Sequence, residues 1–167
     1  MIKSAVRFII TLVFFITCAF TAYSQEKKTE LSISTGYATK LSFDQNAVEE
    51  GNGFHLGVNL YKRGAERWSW DAQLSINLIA PNPSRDELTI NALYGVRYYF
   101  NKISSPTRIF FNVLGGVALR NEFADDFTET LIDVGYSGGL FVERKQLLFG
   151  LSIDAPQNLI FKVGYRF

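Results

Sequence analysis

From about residue 31 to its end the chain alternates, an apolar side chain at one position and a small, polar or charged one at the next. Period two is the mark of β-strands with two unlike faces. The third run is the cleanest: Trp68, Trp70, Ala72, Leu74, Ile76 and Leu78 against Ser69, Asp71, Gln73, Ser75 and Asn77. The fourth sets Leu88, Ile90, Ala92, Tyr94, Val96, Tyr98 and Phe100 against Thr89, Asn91, Leu93, Gly95, Arg97 and Tyr99. The same alternation over 31–41, 54–61, 109–120, 132–143, 147–154 and 159–167 completes eight predicted strands. After Gln25 no segment has the 3.6-residue spacing of an amphipathic helix. The links 62–66, 81–85, 101–106 and 154–158 are short and rich in Gly, Pro, Asn and Ser. Short links make consecutive strands antiparallel neighbours. Eight such strands close into an all-β, up-and-down antiparallel barrel, which removes both open sheet edges.

Two barrels fit this pattern. A soluble carrier of lipocalin type has an apolar lumen, whereas a transmembrane barrel has the reverse polarity. The polar face carries Lys40, His55, Asp71, Arg97, Arg120, Asp133, Asp154 and Lys162, and much glycine. The apolar face is nearly uncharged over strands of about 10 residues, enough at a tilt of roughly 40° for an apolar band about 25 Å tall. That favours charges inside and lipid outside. In a meander, the starts of odd strands and the ends of even strands share one rim. Trp68, Trp70, Tyr98, Phe100, Tyr165 and Phe167 then gather at that rim on the apolar face, as an aromatic girdle at a membrane interface does. The secreted chain begins and ends on this rim, which places it in the periplasm.

Composition adds exclusions. Seventeen Lys plus Arg balance sixteen Asp plus Glu in 167 residues, which leaves no electrostatic footprint for nucleic acid. One Cys and one His exclude a disulfide framework and a cysteine-built metal site. Aromatics reach 15% although mean hydropathy is only +0.06, because averaging a lipid-facing wall with a charged lumen conceals both. At the N-terminus, Lys3 and Arg7 precede a 13-residue apolar run, residues 8–20, and then Ala22-Tyr23-Ser24. Such a helix spans only about 20 Å, too short for a hydrocarbon core about 30 Å thick. Residues 1–24 therefore read as a cleaved secretory signal and 25–167 as the barrel domain. Phe15-Ile16-Thr17 is a poor lead-in for lipidation at Cys18, the rival reading.

The C-terminal run Leu159, Phe161, Val163, Tyr165, Phe167, alternately apolar and ending in Phe, resembles the signal by which the outer-membrane assembly machinery recognises barrel proteins. Gly95-Val96-Arg97-Tyr98-Tyr99-Phe100 resembles a strand of small outer-membrane barrels. As a whole, residues 29–167 are similar to the OmpA/OmpX-type eight-stranded family and to related barrel domains of Bacteroidetes-type bacteria. The resemblance implies an integral protein of the Gram-negative outer membrane with a structural or surface-interaction role. It implies no cofactor, and as partners outer-membrane lipid, lipopolysaccharide and the assembly machinery, with the barrel itself a monomer.

The lumen of eight strands is filled by side chains. Pairing the third and fourth strands with Ala80 opposite Leu88 places Trp70 beside Tyr98 and Asp71 beside Arg97, making the latter two a buried structural ion pair. An ion-conducting constriction is the functional alternative. Because some small outer-membrane barrels act on lipid A through a His, a lipid-modifying enzyme centred on His55 is a second reading. The simplest register sets His55 opposite Lys40, with Asp154 at the same level and Ser42 nearby, but no Ser-His-acid spacing singles them out. The outer loops, 42–53, 81–87, 121–127 and 155–158, hold Asp44, Glu49, Glu50, Asp86, Glu87, Glu122, Asp125 and Asp126 against Arg85 alone. This acidic crown has the oxygen ligands for Ca²⁺ or Mg²⁺ but no EF-hand-like spacing, so solvated loops are the simpler reading. Lys62, Arg63, Arg67, Lys102, Arg108, Arg144 and Lys145 weight the periplasmic turns with positive charge.

Overall fold

The computed structural model describes residues 29–41, 51–62, 67–82, 85–102, 104–124, 128–156 and 158–167. The signal segment, Ser42, and the loop acids Asp44, Glu49, Glu50, Asp125 and Asp126 lie outside the described residues. Eight strands follow one another: β1 (Thr29–Lys40), β2 (Asn52–Lys62), β3 (Trp68–Asn82), β4 (Arg85–Tyr99), β5 (Thr107–Ala124), β6 (Thr128–Arg144), β7 (Leu147–Asp154) and β8 (Asn158–Arg166). Each pairs antiparallel with its sequence neighbours, and β8 returns to β1, so the sheet is a closed barrel.

The alternation sorts side chains by face. On β3 every second residue from Ser69 to Ile79 is buried, while Trp68, Leu78 and Ala80 are exposed. The buried set is polar in strand after strand, including Ser34, His55, Asp71, Thr89, Asn112, Glu143, Asp154 and Lys162. The exposed set is apolar. The lumen is therefore the polar side and the outer wall the apolar one, the inverse of a water-soluble domain.

Registers differ from the sequence expectation by even numbers of residues. Trp68, not Trp70, lies opposite Tyr98, and Asp71 lies opposite Gly95. The cause is at the far end, where β3 runs on to Asn82, β4 begins at Arg85 and an irregularity separates Ile79 from Asn82. His55 faces Gly36 instead of Lys40, a slip of four. Even slips keep every side chain on its face, since strand periodicity is two. The loop boundaries change as well: Glu87 and Glu122 belong to strands and are buried in the lumen. A charged residue ends a strand in a half-solvated sheet, but here the lumen accepts it.

Candidate functional site

The lumen is layered along the barrel axis, from the rim that carries both termini to the far rim. At the terminal rim Glu30, Arg166, Glu143 and Arg108 form a ring of alternating sign. Arg166 Nη1 donates to Glu30 Oε1 (2.8 Å), its Nε lies 2.9 Å from Glu143 Oε1, Arg108 bonds Glu143, and Arg108 Nη1 lies 3.7 Å from Glu30 Oε2. Four strands contribute one charge each. Arg108, expected among the cations of the periplasmic turns, belongs to β5 and is buried in the lumen, and the other three did not stand out in the sequence. The available signals were their inward phase at the ends of β1, β5, β6 and β8 and the opposite charges of Arg108 and Glu143 on consecutive strands.

Above the ring lies an apolar shelf of Tyr99, Phe110, Phe141 and Leu148, with Phe110 and Phe141 stacked at 5.2 Å. Glycine makes room for it: a Cβ at Gly139 would stand 2.6 Å from Phe141 Cε2. The guanidinium of Arg97 lies over the rings of Tyr61 (3.6 Å) and Phe110 (4.2 Å). Its Nε and Nη2 donate to Asp71 Oδ2 at 3.0 and 2.8 Å. The contact is diagonal across the β3–β4 pair, because the arginine reaches two residues along the strand. Asp71 also accepts from Asn59 Nδ2 (3.1 Å) and Asn112 Nδ2 (3.3 Å). Carboxylate and cation are both buried, and the carboxylate accepts hydrogen bonds on both oxygens.

A second pair follows. Lys162 Nζ donates to Asp154 (3.1 Å), which also accepts from the hydroxyls of Ser137 (2.7 Å) and Ser152 (2.9 Å) and from Gln73 Nε2 (3.4 Å). His55 Nδ1 donates to Asn77 Oδ1 (2.6 Å) and stands 4.0 Å from Asp154 Oδ2. Its ring lies over Gly57, where a Cβ would come within 2.8 Å of Nε2. Asp154 and His55 are thus brought together and the expected Lys40 is not, since Lys40 bonds Glu87 at 3.1 Å. His55 has 0% exposure. A side chain without accessible surface presents nothing to a lipid substrate. Ala38, Ile79 and Ile160 close the column above it, and beyond them Arg120 lies between Glu122 (3.6 Å) and Asp133 (3.5 Å).

Two apolar layers and two neutralised pairs leave little room. The cavity between Ser34, Asn59, Gln73, Arg97, Asn112 and Lys162 measures about 10 Å³, space for about one water. Among the described residues these layers leave no ligand chamber of hundreds of Å³ between the two ion pairs. Among the described residues no group of three or more His, Cys, Asp or Glu is placed to hold a metal ion. Glu87 and Glu122 point into the lumen instead of joining an outer crown.

On the outer wall Trp68, Tyr98, Phe100 and Phe111 cluster around the terminal rim, with Trp68 edge to face on Phe111 at 6.2 Å, Tyr98 edge to face on Phe100 at 5.6 Å, and Trp68 tilted against Tyr98 at 4.7 Å. Trp70 sits deeper and stacks on Tyr94 at 6.4 Å. On β8 Phe161 and Tyr165 are exposed, as is Phe167 just past its end, and Leu159 and Val163 share the face of Phe161 and Tyr165 half-buried.

No sequence-family model matches the chain, and no curated protein matches it. Solved structures do. Neisserial surface protein A superposes with a TM-score of 0.68 at 12% identity, covering 83% of this chain and 95% of that one. Ail, the attachment invasion locus protein of Yersinia pestis, gives 0.53 at 17% identity, covering 84% and 99%. At such identities the likeness is one of fold: the chain is a closed eight-stranded antiparallel barrel of the kind found in outer-membrane proteins.

Proposed function

We propose that this protein is an integral barrel of the Gram-negative outer membrane with a structural or surface-interaction role and a lumen filled by side chains. The carrying observation is the inverted polarity: a closed apolar wall around a buried, charge-paired column. Charges kept inside and apolar residues facing out suit hydrocarbon and not water. Trp68, Tyr98, Phe100 and Phe111 form the periplasmic girdle at the lipid interface, with Trp70 one step deeper. Leu159, Phe161, Val163, Tyr165 and Phe167 are the strand offered to the assembly machinery. Lipid and lipopolysaccharide cover the wall of a monomer, and no catalytic role is assigned to His55.

Fractionation and gel mobility test this together. The protein is expected in outer-membrane fractions, and in detergent the unboiled form migrates faster than the boiled one. A soluble periplasmic product, or identical mobility before and after boiling, overturns the reading.

A further inference from the structure

The wall is uneven in height. β5 and β6 have 18 and 17 residues, β7 and β8 only 8 and 9. At about 3.4 Å per residue and a tilt of roughly 40°, β7 lifts the wall only about 20 Å above the terminal rim, against an apolar band of about 25 Å. β6 on the same estimate climbs about 44 Å. Pairing between them ends at Ser137 opposite Asp154, with a last bond from Ala155 N–H to Tyr136 O at 2.8 Å. Beyond it β6 stays bonded to β5 as far as Thr128 opposite Phe123. On its other side no described residue pairs with residues 128–135, which are an open edge among the described residues.

The lower part of that edge lies at hydrocarbon depth. Val134 sits opposite Val117 and Ile132 opposite Leu119, continuing the lipid-facing wall. Ile132 at 75% and Val134 at 79% are the most exposed large apolar side chains among the described residues. The first polar pair on that face comes higher, where Thr130 Oγ1 donates to Asn121 Oδ1 at 2.7 Å. Unpaired backbone N–H and C=O groups are not tolerated against hydrocarbon. Yet Asp133, on the other face of the same stretch, has its side chain 46% exposed. A half-exposed carboxylate at that height calls for a polar, hydrated surrounding on the inner side.

We propose that the barrel draws the outer leaflet down over β7 and β8, so that lipid headgroups and their water reach the open edge of β6. This rests on the outer-membrane reading. The end of β7 and the loss of β6's partner are one feature at one depth, and the half-exposed carboxylate of Asp133 stands just above it. A strand added by a second copy or a peptide would satisfy the edge and still leave β7 too short. A lowered headgroup layer resolves both mismatches, which is how bilayers accommodate short spanning segments.

The test uses the folded protein in phosphatidylcholine vesicles with acyl chains of 12 to 18 carbons. Residue-resolved amide exchange is expected to show alternating behaviour over residues 130–135. Amides turned to the open edge exchange at least 100-fold faster than those bonded to β5. The urea midpoint is expected to be highest in the thinner vesicles. Lengthening the β7–β8 hairpin by two residues per strand is expected to move that optimum to longer chains. Uniform protection of the edge at high dilution, or a midpoint indifferent to chain length, overturns the proposal. Protection that rises with protein concentration overturns it in favour of a second copy. Failure to insert into any vesicle instead overturns the membrane reading on which it rests.

Discussion

Asp71 with Arg97 and Asp154 with Lys162 occupy adjacent layers of one lumen and are built differently. Arg97 is held twice, by a two-nitrogen contact with the carboxylate and by aromatic rings over its guanidinium. Lys162 is a point charge on a carboxylate that also gathers two hydroxyls. The guanidinium's planar fork suits stacking and bidentate bonding, and it cannot shed its charge, whereas an ammonium can. The first pair fastens to the apolar shelf, and the second to a hydrogen-bonded network of Ser137, Ser152 and Gln73, with His55 4.0 Å from its carboxylate. Polarity inside a barrel is thus tolerated by two routes, one of shape and one of hydrogen-bond number.

Removing an acid from each pair separates the routes most sharply. Asp71→Asn is expected to destabilise the barrel by about 3 to 5 kcal/mol, because Arg97 is left charged and buried. Asp71→Leu combined with Arg97→Met is expected to recover most of the loss, since replacing both partners removes the stranded charge. Urea unfolding in vesicles checks both, and a double variant no better than the single one would refute the stranded-charge account. Asp154→Asn is expected to cost less, about 2 to 3 kcal/mol, because the amide keeps an acceptor for Ser137 and Ser152. Arg97→Lys comes next, at about 1 to 2 kcal/mol, from loss of the fork and the stacked plane. If it costs nothing, the aromatic rings are mere neighbours. The smallest effect is a gain outside both pairs: Lys145 has φ 58°, so Lys145→Gly is expected to add up to about 1 kcal/mol, measured as a raised urea midpoint.

Strand number, barrel class and the face of each side chain were legible, because a two-residue period survives any even slip of register. Register was not. His55 faces Gly36 and Asp71 faces Gly95; in the second case the strands run on to Asn82 and Arg85 through an irregularity that a two-residue period does not register. Ion pairs between neighbouring strands were within reach of pattern reading, as Asp71 and Arg97 illustrate. Within the Glu30–Arg166–Glu143–Arg108 ring the Arg108–Glu143 pair, directly opposite on β5 and β6, was within reach in the same way, whereas the contacts that join it to Glu30 and Arg166 were not, since β1 and β8 meet the rest only on closure. Glu87 and Glu122 were misplaced in loops for a related reason: a charge ends a strand on a wet surface but extends one that borders a polar lumen.

That ring also bears on the order of events in folding. Glu30 and Arg166 are 136 residues apart in sequence, so their bond cannot form while the strands are being laid down one after another. It waits for the last strand to find the first, the longest-range step in the chain and the one whose loop entropy is repaid latest. A chain interrupted before β8 keeps Glu30, Glu143 and Arg108, two acids for one base. The balance of charge at the terminal rim is thus a local record of completion, reached only by a barrel that has joined its ends.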